Sequence, residues 1–199
     1  MMQLRAIGFC LLLGACSGAW ETTFDAPVST GLAQGWHLHD VVVDVPPDLT
    51  TTEDNIFAPE ADIVWHGDPW GDRKAQVAAI LHDAVAQAAA PLSGRRGVDF
   101  FVTVREFHAL TPRARSSAPS AVHNLAFDIS VLDDRTGEVV VPSTFIRADL
   151  LALTGVAAIE AVVQGDTQKV RISRHLTEVV AGWLGIAPDP RRTFRSLGR

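Results

Sequence analysis

The chain of 199 residues contains two cysteines, two methionines and no tyrosine. Both cysteines, Cys10 and Cys16, lie within the first sixteen residues. The rest of the chain therefore has no thiol for a disulfide, for a nucleophile or for a thiolate metal site. The absence of tyrosine removes another common catalytic acid, and the core must be stable without a covalent cross-link.

Positive charge is also scarce, with 17 Lys and Arg against 23 Asp and Glu and a formal net charge of -6. This balance argues against non-specific nucleic-acid binding, which needs a basic face. The hydrophobic fraction of 47% is that of an ordinary globular domain. Beyond the N-terminus no apolar run reaches membrane-spanning length, since the longest, residues 150–163, is interrupted by Thr154, Gly155 and Glu160.

The N-terminus has the features of a bacterial export signal. Residues 1–5 carry the positive charge of Arg5, residues 6–13 are apolar, and the small residues Gly14 and Ala15 precede Cys16. This pattern resembles the lipobox of bacterial lipoproteins. The resemblance implies that residues 1–15 are removed and that the Cys16 thiol receives a diacylglycerol group. The alternative is an ordinary secretory signal that is cut at Ala15 or Ala19.

Lipidation at Cys16 predicts a location as well as an attachment. Two or three acyl chains hold a protein stably on a membrane, whereas one chain gives only marginal binding. Ser17 follows the cysteine, and by resemblance to enterobacterial lipoproteins a neutral residue there favours the outer membrane over the inner one. The protein would then be lipid-anchored in the bacterial cell envelope and face the periplasm.

Composition divides the chain into four segments. We expect a signal peptide over residues 1–15, a lipidated tether over 16–35, a single α/β periplasmic domain over 36–187 and a flexible basic tail over 188–199. The tether contains scattered Thr, Ser, Gly and Pro without a hydrophobic period.

The hydrophobic pattern of the domain predicts an α+β fold. Strands are expected over residues 37–45, 98–107, 122–132 and 138–147, and amphipathic helices over 74–90 and 166–182. The first helix would be capped by Asp68, with Pro69 at the first helical position, or alternatively by Asp72. The second helix would be capped by Asp166. This β-α-β-β-β-α order predicts a two-layer sandwich, a mainly antiparallel sheet of about four strands with two amphipathic helices on one face. Residues 150–165 fit either a short helix or a strand.

Several histidines are candidate metal ligands. His37 and His39 are two positions apart in a predicted strand and therefore share one face, and His66 is a possible third ligand. The alternative is that His37 and His39 are half-exposed polar residues. Asp62, His66, Asp68 and Asp72 lie in one loop and could bind a cation or act as acid and base, but turn formation and helix capping already explain them and are favoured.

The remaining polar clusters give no catalytic motif. Glu106 and His108 share one side of a strand end, and Ser116, Ser117 and Ser120 lack the Gly-x-Ser-x-Gly surroundings of a nucleophile elbow. Arg171, Arg174 and His175 are expected on the polar side of the last helix, where they could contact lipid head groups, a partner or only solvent. We therefore predict no catalytic residue, no cofactor and no enzymatic activity.

A family resemblance follows from four segments of the sequence. They are His66-Gly67-Asp68-Pro69 with Gly71-Asp72-Arg73, residues 107–111, residues 167–172, and His175-Leu176. With the lipobox, they resemble an uncharacterised family of alphaproteobacterial lipoproteins over most of residues 16–185. That resemblance implies no activity. More distantly, the anchor and the element order are similar to auxiliary lipoproteins of ABC-type lipid transporters and to the small lipoprotein that plugs the lipopolysaccharide translocon.

Three functions remain open from the sequence. The first is an accessory or structural component of an envelope assembly or transport system, which would bind a protein partner through its sheet edge or exposed sheet face. The second is a lipid or amphiphile binding module with a cavity between helices and sheet, supported by the apolar residues 150–163. The third is a metal-dependent enzyme that uses His37, His39 and His66.

Overall fold

The computed structural model describes residues 18–196. Its strands are β1 (Gly18–Thr23), β2 (Trp36–Asp44), β3 (Ile63–Val64), β4 (Arg96–His108), β5 (Ala121–Asp133), β6 (Val139–Ala148), β7 (Leu150–Ala152) and β8 (Arg192–Ser196). Its helices are α1 (Thr30–Ala33), α2 (Arg73–Ala89), α3 (Pro112–Ser117), α4 (Gly155–Val163) and α5 (Gln168–Trp183).

The strands form one open sheet in the order β2-β4-β5-β6-β1-β8, with β3 also paired to β4 and β7 to β5. The two pairings of β4 with β2 and β3 are parallel, and the others are antiparallel. The predicted α+β class with a mainly antiparallel sheet is confirmed. The prediction of four strands and two helices is wrong, because the described chain has eight strands and five helices. The additional elements are too short for a hydrophobic period to show.

Helix α2 begins where Asp72 accepts a hydrogen bond from the backbone N–H of Ala75 at 3.0 Å. Asp72 is therefore the cap, and the alternative with Asp68 as cap and Pro69 at the first helical position is wrong. Asp68 is instead bound to Trp65 and Lys169. The apolar stripe of α2 is buried and packs against the sheet and α5.

Helix α5 buries the predicted stripe of Ile172, Leu176, Val179, Val180 and Trp183. Its cap is Thr167, whose hydroxyl accepts from the N–H of Val170, and not Asp166 as expected. Asp166 forms ion pairs with arginines of α5 instead.

The ends of the described chain are more ordered than the sequence predicts. Residues 18–35, expected as a tether without regular structure, contain β1 and α1, and Phe24, Val28 and Ala33 are buried. The tail expected from residue 188 contains β8, which pairs with β1 from Gly18 to Thr22. Each of these strands is short and contains polar residues, so the sequence shows no hydrophobic alternation that would predict it. Each strand instead depends on backbone hydrogen bonds to the other.

Residues 150–165 contain both structures that the sequence left open. Strand β7 pairs with the start of β5, and α4 follows after two residues. Gly155 and Gly165 at the ends of α4 have φ angles of 58° and 79°. Glycine adopts this left-handed region without strain, which explains where α4 begins and ends.

The core lies between the sheet and the pair α2 and α5. Its largest fully buried side chains include Trp36, Trp65, Trp183, Phe100 and Phe107. Trp65 and Phe107 meet edge to face with ring centroids 5.6 Å apart. Within residues 18–196, the helices are all too short or too polar to cross a bilayer.

Candidate functional site

Helix α4 exposes its large aliphatic side chains and buries two of its alanines. Ala158 and Ala161 pack inward, while Val156, Ile159 and Val163 are 70%, 63% and 82% exposed. The outward set has i, i+3, i+7 spacing and therefore occupies one face of the helix. We call this face the α4 surface, and its members are Val156, Ile159, Val162 and Val163. The sequence pattern is that of a core-facing stripe, so the sequence alone did not reveal that the stripe points to solvent.

A groove separates α4 from α3. Helix α3 begins at Pro112, and the Thr111 hydroxyl both caps it and donates to the carbonyl of Ile56 at 2.7 Å. The groove has a volume of about 240 Å³. Its lining is mainly apolar and comprises Pro112, Arg115, Ser116, Gly155, Ala158, Ile159, Val162 and Val163. Such a groove suits an alkyl chain or an apolar side chain, with Arg115 as its cationic group.

A smaller polar pocket of about 10 Å³ lies under α4 and shares Arg115 with the groove. That volume is on the scale of one water molecule. His123 and Gln168 line it, and His123 Nδ1 and Gln168 Oε1 are buried without a hydrogen-bond partner in the described chain. Burial, with a smaller contribution from the Arg171 charge, lowers the pKa of His123 to about 3. The pocket is therefore lined by a neutral imidazole and an amide oxygen that are both able to bind a polar group.

A second buried polar group ties β1 to the strands beside it. Asp149 accepts hydrogen bonds from the side chain of Asn124 and from the N–H of Glu21, both at 3.2 Å, and its carbonyl accepts from the Thr22 hydroxyl. Burial raises the pKa of Asp149. His175 was expected on the polar side of α5, but it is buried against the backbone of Asp149, and burial lowers its pKa to about 4.

The start of β1 lies at the same end of the sheet as α4. Gly18 is the register partner of Ser196, and the hydroxyl oxygens of Ser196 and Ser120 are 3.1 Å apart. Ala121, the next residue, pairs with Ala152 of β7, which directly precedes α4. We call this end of the sheet the Gly18 end. Cys16, the predicted lipidation site, and the signal over residues 1–15 lie outside the described residues.

Of the three histidines predicted as metal ligands, His37 and His39 have separate partners, and His66 Nε2 is buried without a hydrogen-bond partner in the described chain. His37 Nδ1 lies 3.0 Å from the carbonyl of Gly94, and His39 Nδ1 lies 2.7 Å from Asp99 Oδ1. The hydrogen bond with Asp99 raises the pKa of His39, whereas burial lowers that of His66. From residue 18 to residue 196, no three His, Cys, Asp or Glu side chains form a group able to hold a metal ion.

The other polar candidates have structural partners. Asp62 accepts from the N–H and hydroxyl of Thr50, and Glu106 lies 3.7 Å from Arg147. His108 is buried, with Nε2 at 2.9 Å from the carbonyl of Pro59. Ser116 and Ser117 bond each other, and Arg171 and Arg174 flank Asp166. The structure thus brings none of them to the groove except Ser116.

Comparisons with known proteins give a family and three distant structural likenesses. A DUF330 protein from Xanthomonas campestris is 17% identical, with 82% of this chain and 91% of that chain covered and a TM-score of 0.45. The PelC dodecamer from Paraburkholderia phytofirmans is 10% identical, with coverages of 83% and 96% and a TM-score of 0.35. A candidate lipoprotein from Caulobacter crescentus is 15% identical, with coverages of 78% and 94% and a TM-score of 0.32.

No curated protein matches the sequence. A family model does: the one for the family of unknown function DUF6778 matches residues 36–199, and the chain therefore belongs to this family.

Proposed function

We propose that this protein is a lipid-anchored accessory lipoprotein of the bacterial envelope, attached to the membrane at Cys16 and facing the periplasm. The proposal includes an alphaproteobacterial organism as the source of the protein. Ser17, which follows Cys16, favours the outer membrane over the inner membrane as the site of attachment. The role is that of a component of an envelope assembly or transport system, which the resemblance to auxiliary lipoproteins of ABC-type transporters suggests. No catalytic chemistry is part of the proposal.

One structural observation carries the proposal: β1 begins at Gly18, two positions after Cys16. Cleavage before Cys16 leaves β1 complete. The alternative cut after Ala19 would remove Gly18 and Ala19, two of the five residues through which β1 pairs with β8. The position of the first strand therefore favours a cut before Cys16, which the lipobox requires, over the cut after Ala19.

The test compares the wild-type protein with Cys16→Ala in a bacterial host. We expect the mature wild-type protein to begin at Cys16, to carry acyl chains by mass spectrometry and to sediment with membranes. The Cys16→Ala protein should lose the lipid and the sedimentation while keeping its circular dichroism spectrum. An unmodified Cys16 thiol in the mature wild-type protein would refute the anchor.

The accessory role needs a second measurement. In-cell cross-linking of the tagged protein, followed by mass spectrometry, should capture a reproducible membrane-protein partner that the Cys16→Ala form does not capture. If both forms complement a deletion strain equally well, anchoring is not needed for function and the accessory role at the membrane is wrong.

The groove between α3 and α4 favours a second candidate function, the binding of an amphiphile. Its apolar lining and its cationic Arg115 match a molecule with an alkyl chain and an anionic or polar head. Ser116→Trp should fill the groove, whereas Ser117 is not among its lining residues, so Ser117→Trp is the matched control. Native mass spectrometry should show a co-purified lipid in the wild type and the control but not in Ser116→Trp. A wild-type spectrum without lipid excludes this function.

A further inference from the structure

We infer that the Gly18 end of the domain rests on the lipid bilayer, with the α4 surface at the boundary between head groups and acyl chains. This inference rests on the proposed lipid anchor and adds the orientation of the domain and the residues that contact lipid. It makes the bilayer itself, rather than a soluble ligand, the occupant of the α4 surface.

The first argument is the exposure of apolar side chains at this end. On α4 the outward side chains of Val156, Ile159, Val162 and Val163 are aliphatic, and Val163 is 82% exposed. The exposed Ile56 and Phe57 lie beside α3, because the carbonyl of Ile56 accepts from Thr111 and the Phe57 ring lies 5.0 Å from the Arg113 guanidinium. Apolar surface of this extent is typical of interaction sites rather than of free protein surface.

Trp70 adds an aromatic group to the same end. It is 84% exposed, and it belongs to the loop in which Asp68 binds Lys169 in the first turn of α5. Helix α5 directly follows α4. Tryptophan is enriched at membrane–water interfaces because its ring is amphipathic. An exposed tryptophan at the same end of the domain as exposed aliphatic side chains therefore favours a lipid surface as the occupant.

The second argument is the distance to the anchor. Cys16 precedes Gly18 by two positions, and two residues of chain reach at most about 7 Å. A lipid on Cys16 therefore enters the bilayer next to the Gly18 end, where α4 lies. The domain has no long linker on which it could turn away, so this end stays near the membrane.

The charges at this end fit a shallow position. Arg113 and Arg115 on α3 are available for lipid phosphates, and Arg115 also lines the groove. Glu160 borders the α4 surface and is exposed, so α4 lies at head-group depth and does not enter the hydrocarbon core. Contacts of this kind are weak alone, so the acyl chains supply the attachment and α4 sets the orientation.

The experiment uses the full-length lipidated protein in vesicles of phosphatidylethanolamine and phosphatidylglycerol. Because Cys16 is acylated and Cys10 leaves with the signal, Val163→Cys gives a single thiol for a fluorescent label, with Val156→Cys as a second position on α4. Arg135→Cys is the control, since Arg135 is exposed in the hairpin between β5 and β6, at the opposite end of β5 from α4.

We expect lipids brominated on the acyl chain to quench the labels at positions 163 and 156. Iodide in the water should quench the label at position 135 more strongly than the two labels on α4. Equal iodide quenching at all three positions overturns the inference. The inference is also overturned if the labels on α4 are protected from iodide in cells but not in vesicles, because that result would indicate a protein partner. Mass spectrometry of the same samples separates the proposed lipid anchor from the proposed orientation. If the protein is acylated but α4 is exposed to water, only the proposed orientation is refuted.

Discussion

The Lys169 ammonium lies 2.7 Å from Oδ1 of Asp68, a residue 101 positions earlier in the chain. The other oxygen of Asp68 accepts from the indole N–H of buried Trp65 at 2.9 Å. Burial alone raises the pKa of Asp68, but these two hydrogen bonds, together with the positive charges of Lys169 and Arg73, hold the pKa below its usual value. One carboxylate thus joins the loop before α2 to the first turn of α5.

Replacing this carboxylate should destabilise the fold. In Asp68→Ala the Trp65 indole N–H loses its acceptor inside the protein, so we expect the free energy of unfolding to fall by about 1–3 kcal/mol. Urea denaturation measures this loss. Asp83→Ala is the control, because Asp83 is an exposed residue of α2 whose ion pair within residues 18–196 is with neighbouring His82. Equal effects of the two substitutions would contradict the assigned role of Asp68.

This contact also shows the limit of the sequence. The pattern gave Asp68 a capping role because Asp-Pro is a common helix start. It could not show that Lys169 would come to lie beside it, since local patterns carry no information on contacts across a hundred residues. The apolar periods of α2 and α5 were long enough to predict both helices. Strands β1 and β8 were missed because each depends on a partner far away in the chain.

The candidate site was missed for a related reason. Residues 150–163 were correctly identified as apolar and small, but an exposed stripe and a buried stripe have the same spacing in sequence. Only the packing of Ala158 and Ala161 against the domain shows which face of α4 points outward. His123 lies within the predicted strand over residues 122–132, but its burial beside Gln168 of α5 becomes visible only in the folded structure.

Stability should fall in acid because burial strongly lowers the pKa of two histidines, His123 and His175. The pKa of His123 is about 3 and that of His175 about 4, against 6.5 in the unfolded chain. Below pH 6.5 the unfolded state therefore binds more protons than the folded state, and folding weakens as the pH decreases. Each histidine should contribute roughly 1.4 kcal/mol of loss per pH unit until its folded pKa is reached.

Urea denaturation between pH 7 and pH 4 measures this dependence. His123→Leu should reduce this pH dependence by about half, because one of the two histidines with a strongly lowered pKa is gone. The same substitution at His82, exposed on α2, controls for the loss of a histidine as such. A slope that stays unchanged in His123→Leu means that this imidazole is protonated in the folded protein.

The stability of the C-terminal end of α4 should depend on Gly165. Gly165 has a φ of 79°, and its N–H donates to the carbonyl of Val162, while the N–H of Asp166 donates to that of Ala161. An alanine there must adopt the left-handed region, at a cost of about 1–2 kcal/mol. Gly31→Ala is the matched control, because Gly31 has no positive φ and no atom near its added Cβ. Thermal denaturation should show a lower Tm for Gly165→Ala than for the wild type, whereas Gly31→Ala should not lower the Tm.

The two faces of α4 should respond differently to substitution. Val163→Ala removes methyl groups that are already in water, so the free energy of unfolding should change by less than about 0.5 kcal/mol. Ala161→Leu forces a larger side chain against the domain and should cost about 1–3 kcal/mol. Denaturant midpoints of the purified proteins compare the two. If instead Val163→Ala is the more destabilising, α4 buries its large side chains in solution, and the exposed surface assigned to membrane contact does not exist.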